Sequence, residues 1–311
     1  MFRSRRILLM ALLAIVSSMC YGEGERTEEE RIEEKGKWTE NILKIKYGFN
    51  NTLDPYLSPL QYSGQEIGIG NEWWGNFKVK KLKGGNALRA EEKNGGNALR
   101  AEEQGWLSVG RLDLCGQRAY SAAKSNLFYA FGVQGSWAGI WQYQLSNPTL
   151  QSAKIHGIDF LVGPELAIDF RARQHASNIN KPYSFDLGID VNAAAGVALR
   201  FGGKKTAYRL RYMIRTNLIG TDWTPEYWQS MYEASTGQWK QNVRCSGPWN
   251  RNVVRQELSM DFQFIRSTWR LGAEHEWMTT RTGTMDWIRH EVRLVVGCAW
   301  KYHVDGRSVK M

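Results

Sequence analysis

The sequence predicts an all-β chain that folds into an antiparallel transmembrane β-barrel, and three observations carry that prediction. Apolar and polar residues alternate with a period of two over stretches far longer than the roughly five or six residues of an average globular strand. The chain holds 14 Trp, 13 Tyr and 11 Phe, and aromatic residues gather near the ends of the apolar rows, as an interfacial girdle requires. An export signal precedes these strands.

The N-terminus has the three parts of a secretory signal peptide. Basic residues precede an apolar run over 7–16, and the small residues Cys20 and Gly22 suit cleavage after Gly22. We therefore assign 1–22 as a cleaved signal peptide and 23–37 as a charged leader. Lipidation at Cys20 is an alternative. Export leads us to expect the outer membrane, with the periplasm as the alternative location.

Composition excludes several classes of protein. A mean hydropathy of −0.48 is too polar for a bundle of membrane-spanning helices, and 7 Pro with many aromatics argue against disorder. The net charge is +10, but the Lys and Arg residues are scattered among carboxylates, so we expect no nucleic-acid partner. We instead expect outer-membrane lipid around the barrel. The sparse cysteines form no disulfide framework or metal pair, and we expect no cofactor.

The barrel domain is expected over 38–304, with a C-terminal tail at 305–311. We predict about twelve strands, with ten or fourteen as the alternatives. The segments expected to form them are 40–49, 62–70, 72–80, 105–115, 126–144, 153–162, 166–173, 183–201, 206–219, 253–265, 268–278 and 286–303. Long outer loops are predicted at 81–104 and 220–252.

Face parity supports the turns in the second half. Outward residues are apolar at odd positions in 183–201 and at even positions in 206–218 and 254–264. The predicted turns at 163–165, 202–205 and 266–267 each carry the alternation from one strand to the next without a break. A one-residue slip would invert a whole face, so this agreement is informative.

The opposite faces of these strands carry many charged residues, which we expect to point into the lumen. Because buried charges need partners, we predict a paired network rather than a wide aqueous channel, with an open pore as the alternative. The residues predicted for it are Asp169, Arg171, Asp186, Asp190, Arg209, Arg211, Arg215, Arg255, Glu257, Asp261, Arg270, Glu274, Glu276, Arg289, Glu291 and Arg293. A tight turn at 266–267 would pair Ile265 with Thr268 and set Glu257 opposite Glu276.

The two long loops differ in character. The loop at 81–104 contains a duplication, because KGGNALRAEE at 83–92 recurs as NGGNALRAEE at 94–103, and we interpret it as an exposed segment. The loop at 220–252 is rich in aromatic residues that either bind a ligand or fold back as a plug. Its candidate residues are Trp223, Tyr227, Trp228 and Tyr232.

Several blocks of sequence resemble a known family. YRLRYMIRTNLIG at 208–220, TPEYWQSMYE at 224–233 and STWRLGAEHEW at 267–277 resemble domain of unknown function 3316, an uncharacterised envelope-protein family of Gram-negative bacteria. FLVGPELAIDF at 160–170 and DPYLSPLQYSG at 54–64 are similar to its upstream blocks. The resemblance implies an outer-membrane β-barrel and implies no chemistry.

No catalytic or metal-binding constellation stands out. The histidines have no metal-ligand spacing, and the sequence lacks a GxSxG or phosphate-binding loop. His275 or His290 would serve as a base only beside an outward hydroxyl group. We therefore expect a non-enzymatic barrel, either structural and surface-exposed or a narrow or plugged pore. An outer-membrane lipid or envelope hydrolase and a soluble periplasmic ligand-binding β-protein are the alternatives.

Overall fold

The computed structural model describes most of the chain from Trp38 to His303. The described residues are 38–77, 100–124, 126–146, 155–176, 182–202, 207–225, 229, 231–236, 239–264, 267–282 and 285–303. The predicted signal peptide, leader and tail, and most of the duplicated loop, lie outside these residues. The strands are β1 (Trp38–Asp54), β2 (Ser58–Phe77), β3 (Arg100–Ser121), β4 (Leu127–Ser146), β5 (Ile155–His175), β6 (Tyr183–Gly202), β7 (Ala207–Trp223), β8 (Val243–Ser246), β9 (Arg251–Phe264), β10 (Ser267–Thr282) and β11 (Met285–His303).

Ten of these strands form a closed antiparallel barrel. Strands β1 to β7 pair in sequence order, β7 pairs with β9, β9 to β11 continue the sheet, and β11 pairs with β1. The short strand β8 lies beside residues 220–223 of β7 and adds to the barrel at one end. The all-β antiparallel barrel is therefore confirmed, with ten barrel strands in place of the predicted twelve.

The difference arises because two predicted turns lie inside continuous strands. Asn71 is within β2 and pairs with Leu43 and Leu112, and the predicted turn at 163–165 is within β5. A continuous strand preserves face parity as well as a three-residue turn does, so parity did not separate the two cases. Pro164, which has no N–H to donate, lies where the pairing of β5 with β4 is interrupted.

The corrected strand count also separates the two long loops. We call the end of the barrel at which Trp38 pairs with His303 the proximal end, and the opposite end the distal end. The connection from Phe77 to Arg100 is proximal, whereas the connection from Trp223 to Arg251 is distal. The predicted loops at 81–104 and 220–252 therefore lie at opposite ends, and residues 100–104 already belong to β3.

The strands present one apolar and one polar face, as the alternation predicts. On β11, Val292 and Leu294 point outward with 51% and 65% exposure, while Glu291 and Arg293 point inward and are buried. Parity changes once within β7, where Leu218 and Ile219 are both exposed beside a register shift in β6. Leu218 has no partner in this pairing and forms a β-bulge, which changes the set of residues that point outward at the distal end of β7.

The distal end is covered by the segment between β7 and β9. Besides β8, this segment contains a short helix, α1 (Met231–Thr236), and a 3-10 turn (Trp239–Asn242). The Tyr56 hydroxyl donates a hydrogen bond to the Gln229 carbonyl oxygen at 3.0 Å. None of the helices that the structure describes is long and apolar enough to cross a membrane.

Beneath this cover, an apolar cluster lies beside buried ion pairs in the distal interior. Its buried residues are Tyr56, Leu57, Tyr62, Ala119, Phe128, Ala130, Met285 and Trp287. The Tyr62 and Phe128 rings stack with centroids 5.3 Å apart. The interior therefore changes from densely packed charged side chains in the middle of the barrel to apolar side chains around a few ion pairs, such as Arg173 with Asp186, at the distal end.

Candidate functional site in the barrel interior

The middle of the barrel is filled by charged side chains that contact one another. We call these side chains the central network, and they comprise ten cations and ten carboxylates linked by ion pairs of at most 3.8 Å. The members are Lys44, Lys46, Arg111, Arg171, Arg211, Arg215, Arg255, Arg270, Arg289, Arg293, Glu66, Glu72, Asp113, Glu165, Asp169, Glu257, Asp261, Glu274, Glu276 and Glu291.

One half of the central network is organised around Glu72 of β2. Its carboxylate accepts from Lys44 Nζ at 2.8 Å and from Arg270 Nη1 at 2.7 Å. Arg270 also binds both carboxylate oxygens of Asp261, at 2.5 and 2.8 Å. This two-pronged geometry is among the strongest that an arginine and a carboxylate can form. Arg211 completes this half, with its guanidinium 4.0 Å from the centre of the Trp74 ring.

The other half is organised around Arg289 and Arg293 of β11. Arg289 Nη2 binds Asp169 at 2.8 Å and also pairs with Glu276. Arg293 Nε binds Glu66 at 2.6 Å. The side-chain amide N–H of Gln134 donates to Asp169 on the adjacent strand at 3.2 Å and reaches across the lumen to Glu276 at 3.1 Å. The contacts of Arg289 with Asp169, Arg293 with Glu66 and Gln134 with Glu276 join strands that are distant in the sequence.

Glu274 connects the two halves into one network. It binds Lys46 at 2.7 Å and Lys44 at 3.5 Å in the first half, and Arg293 at 3.8 Å in the second. Because ten positive and ten negative groups are present, their formal charges cancel. Buried charges are tolerated when they are paired in this way. The arrangement holds opposite walls of the barrel together and occupies its centre with side chains.

The structure places the sixteen residues predicted for the lumen on inner faces, fourteen of them buried and Arg209 and Arg255 half-buried. Thirteen belong to the central network. The other three pair elsewhere: Asp186 with Arg173 and Asp190 with Arg251 toward the distal end, and Arg209 with Glu40 toward the proximal end.

Seven members of the central network were missed by the sequence reasoning. They are Lys44, Lys46, Glu66, Glu72, Arg111, Asp113 and Glu165. Lys44 and Lys46 alternate with Ile45 and Tyr47, so the period-two signal was present in β1. Glu165 lies in the predicted turn at 163–165, where the structure has a continuous strand.

The observed register between β9 and β10 differs from the predicted register by two residues. Thr268 pairs with Gln263 rather than Ile265, so Glu257 lies opposite Glu274 and Glu276 lies opposite Arg255. A register shift of two residues keeps every side chain on the same face of its strand, so face parity does not distinguish the two registers. The observed register also places Arg270 directly opposite Asp261.

The aromatic residues of the long loop do not gather in the lumen where the structure describes them. Trp223 stacks on Phe185 with ring centroids 4.7 Å apart, and its indole N–H donates to the Trp239 carbonyl oxygen at 2.9 Å. Tyr232 is 76% exposed. Tyr227 and Trp228 lie outside the described residues.

The two histidines considered as bases lie on the outer wall. The His290 ring is 6.5 Å from the His275 ring and 5.9 Å from the Trp277 ring, measured between centroids. Within the described part of the chain, neither histidine hydrogen-bonds to a hydroxyl group. No cluster of three histidine, cysteine or carboxylate side chains among the described residues could hold a metal ion.

Comparison with solved structures finds all-β outer-membrane proteins at low sequence identity. The transport unit of the autotransporter AIDA-I from Escherichia coli is 6% identical with a TM-score of 0.40, covering 95% of this chain and 97% of that one. The outer-membrane protease OmpT from Escherichia coli is 6% identical with a TM-score of 0.38, covering 88% and 98%. The COG4313 outer-membrane channel from Pseudomonas putida F1 is 7% identical with a TM-score of 0.31, covering 89% and 100%.

Comparison of sequences gives a family. No curated protein is significantly similar to the chain. The family model described as protein of unknown function (DUF3316) matches residues 116–298, which is more than half of the 311 residues. The match includes β4 to β10 and most of β11, and thus most of the strands that carry the charged interior. The chain therefore belongs to the DUF3316 family, as the resemblance of its sequence blocks indicated.

Proposed function

We propose that this protein is a non-enzymatic β-barrel of the outer membrane whose lumen is closed to ions by the central network. The observation that carries the proposal is the continuous, charge-balanced set of buried ion pairs across the middle of the barrel. In this function the barrel is a structural, surface-exposed element of the envelope.

The outer wall supports a membrane location. Large apolar side chains cover it on successive strands, including Ile67 at 62% exposure, Val162 at 56% and Leu294 at 65%. Such a belt is unfavourable in water, and it matches the hydrocarbon of a bilayer. Outer-membrane lipid is therefore the partner of this surface.

Membrane extraction tests the location. Outer membranes of a Gram-negative host that expresses the full chain should retain the protein through washes with high salt and carbonate and release it only into detergent. Release without detergent would contradict the membrane location and favour the soluble periplasmic alternative.

Planar-bilayer recording tests the closed lumen. We expect the purified protein to produce little or no steady conductance, because buried ion pairs link side chains across the middle of the barrel. Replacing Arg211 with Ala should raise the conductance, since it removes the guanidinium between Trp74, Glu72 and Asp261. Arg281→Ala is the control, because Arg281 is 72% exposed in its pair with Asp286. A large, steady conductance of the unmodified protein would contradict closure and favour a pore.

The hydrolase alternative has a separate test. His275 and His290 are the bases that such an enzyme would use on the outer wall. We expect no hydrolysis of phospholipid or lipopolysaccharide by the purified protein in mixed micelles. Hydrolysis that is lost in His275→Ala or His290→Ala would instead establish an enzyme.

A further inference from the structure

A groove crosses the outer wall of the barrel from β1 to β6, toward the distal end. Its volume is about 900 Å³, and its apolar lining includes Tyr47, Ile67 and Phe131. Gly116 of β3 forms the floor, because it pairs with Ile67 on one side and Phe131 on the other, and a Cβ added there would meet no atom within 4 Å. The missing side chain leaves a channel between two exposed apolar side chains.

The groove changes from apolar to polar along β3. Two residues from Gly116 toward the distal end lies Arg118, which pairs with Gln65 and Tyr129. Gln174, which pairs with Tyr129, continues this polar row. Two residues is a distance of about 7 Å along a strand. The groove therefore has an apolar floor and a polar border that carries one cation.

Arg118 differs from the arginines of the central network. It is exposed, and its guanidinium lies 5.2 Å from the centre of the Tyr120 ring. Among the residues that the structure describes, no carboxylate oxygen lies within 4.0 Å of its nitrogen atoms. Every arginine of the central network has such a partner. Arg118 thus offers an uncompensated positive charge at the border of an apolar surface.

We propose that this groove binds one anionic phospholipid of the surrounding membrane. An acyl chain lies over Gly116 between Ile67 and Phe131, and the phosphate group is bound by Arg118. Guanidinium groups suit phosphate because they donate two parallel hydrogen bonds, and the side chains of Gln65 and Gln174 add donors beside it. This inference rests on the proposed membrane location, and it adds a specific lipid site to that location.

Native mass spectrometry of delipidated protein in a non-ionic detergent, titrated with phosphatidylglycerol, tests the acyl-chain site. We expect one bound lipid per wild-type barrel. Gly116→Leu should weaken binding at least about tenfold, because the new side chain fills the channel without displacing protein atoms. The matched control is Gly135→Leu on β4, where the nearest atom to an added Cβ is 4.0 Å away, and it should bind as wild type does. Wild-type binding by Gly116→Leu, or equal loss in both variants, would overturn the proposal.

Arg118→Gln tests the phosphate contact in the same assay. It should weaken phosphatidylglycerol binding by roughly tenfold and leave the binding of dioleoylglycerol, which has no phosphate, unchanged. Equal effects on the two lipids, or no effect on either, would overturn the role of Arg118. A protein that needs detergent for extraction yet holds no phosphatidylglycerol would overturn this site alone. Release from membranes without detergent would overturn the membrane location itself.

Discussion

The two faces of β9 to β11 show how one sheet can serve two environments. On the outer face, Leu258 and Leu294 are 47% and 65% exposed. On the inner face of the same strands, Glu257, Glu291 and Arg293 are buried at 4% exposure or less. A water-soluble barrel would have the reverse arrangement, with apolar side chains inside. The comparison indicates that each face is stabilised by a different partner.

The inner face is stabilised by contacts between its own side chains, whereas the stability of the outer face depends on the medium around the barrel. Each inner charge is held by opposite charges on other strands, so removing one partner leaves another charge buried and unpaired. The outer face has no such charge pairs to preserve, and its stability in a bilayer requires only that its side chains remain apolar. Removing a charge should therefore be costly inside, and adding one should be costly outside.

The largest effect is expected from Arg270→Met on the inner face. This change removes the partner that binds both oxygens of Asp261 and also Glu72. Loss of one member of a buried pair typically lowers the free energy of unfolding by about 3–5 kcal/mol. The measurement is urea unfolding of the detergent-solubilised protein, followed by tryptophan fluorescence.

Arg281→Met provides the control on the same strand. Arg281 pairs with Asp286, but both side chains are mostly exposed to solvent. Solvent screens exposed ion pairs, so this variant should unfold almost as wild type does. Similar losses for Arg270→Met and Arg281→Met would mean that the central network does not stabilise the barrel.

The next largest effect is expected from Leu258→Arg on the outer face. A cation placed at mid-membrane depth on a barrel wall makes folding into the bilayer less favourable by about 2–4 kcal/mol. The measurement is reversible folding into phospholipid vesicles with increasing denaturant. Leu258→Met, which keeps the position apolar, is the control. If both variants fold equally well, the outer face is not in contact with lipid.

The division between the two faces could be predicted from the sequence because it depends on local alternation. Residues 183–201 and 286–303 alternate over nearly their whole length, and side chains two apart on a strand must share a face. Thirteen members of the central network followed from this rule alone. The family could also be identified from sequence blocks.

The partners across the lumen could not be predicted, because they depend on register and strand count. A register shift of two residues, as between Ile265 and Gln263 opposite Thr268, leaves all faces unchanged. Gly163 and Pro164 are typical turn residues, yet the long-range pairing of β5 with β6 continues through them. Local signals were therefore outweighed by the closure of the barrel.

The smallest effect is expected at the distal end, where the inner face combines an apolar cluster with a few ion pairs and the contrast between the two faces is weaker. Tyr56→Phe removes the hydroxyl group that donates to the Gln229 carbonyl oxygen, which should lower the free energy of unfolding at pH 8 by about 1 kcal/mol. Burial, followed by the nearby carboxylates of Asp54 and Glu233, raises the pKa of Tyr56 from 10.0 to about 12. The folded protein thus retains the phenolic proton after the unfolded chain has begun to lose it.

The sign of the pH dependence follows from this difference in proton binding. Between about pH 10 and 12 the folded state binds more protons at Tyr56 than the unfolded state does, so the stability that Tyr56 contributes falls as the pH rises. The Phe variant has no proton to lose at this position. Above pH 10 the free energy of unfolding of the wild type should therefore fall toward that of the Phe variant. Urea unfolding at pH 8, 10 and 11 measures the gap between the two proteins. A gap that stays constant over this range would mean that the Tyr56 hydroxyl is not enclosed beneath the distal cover, and the apolar cluster that contains Tyr56 would then be open to water.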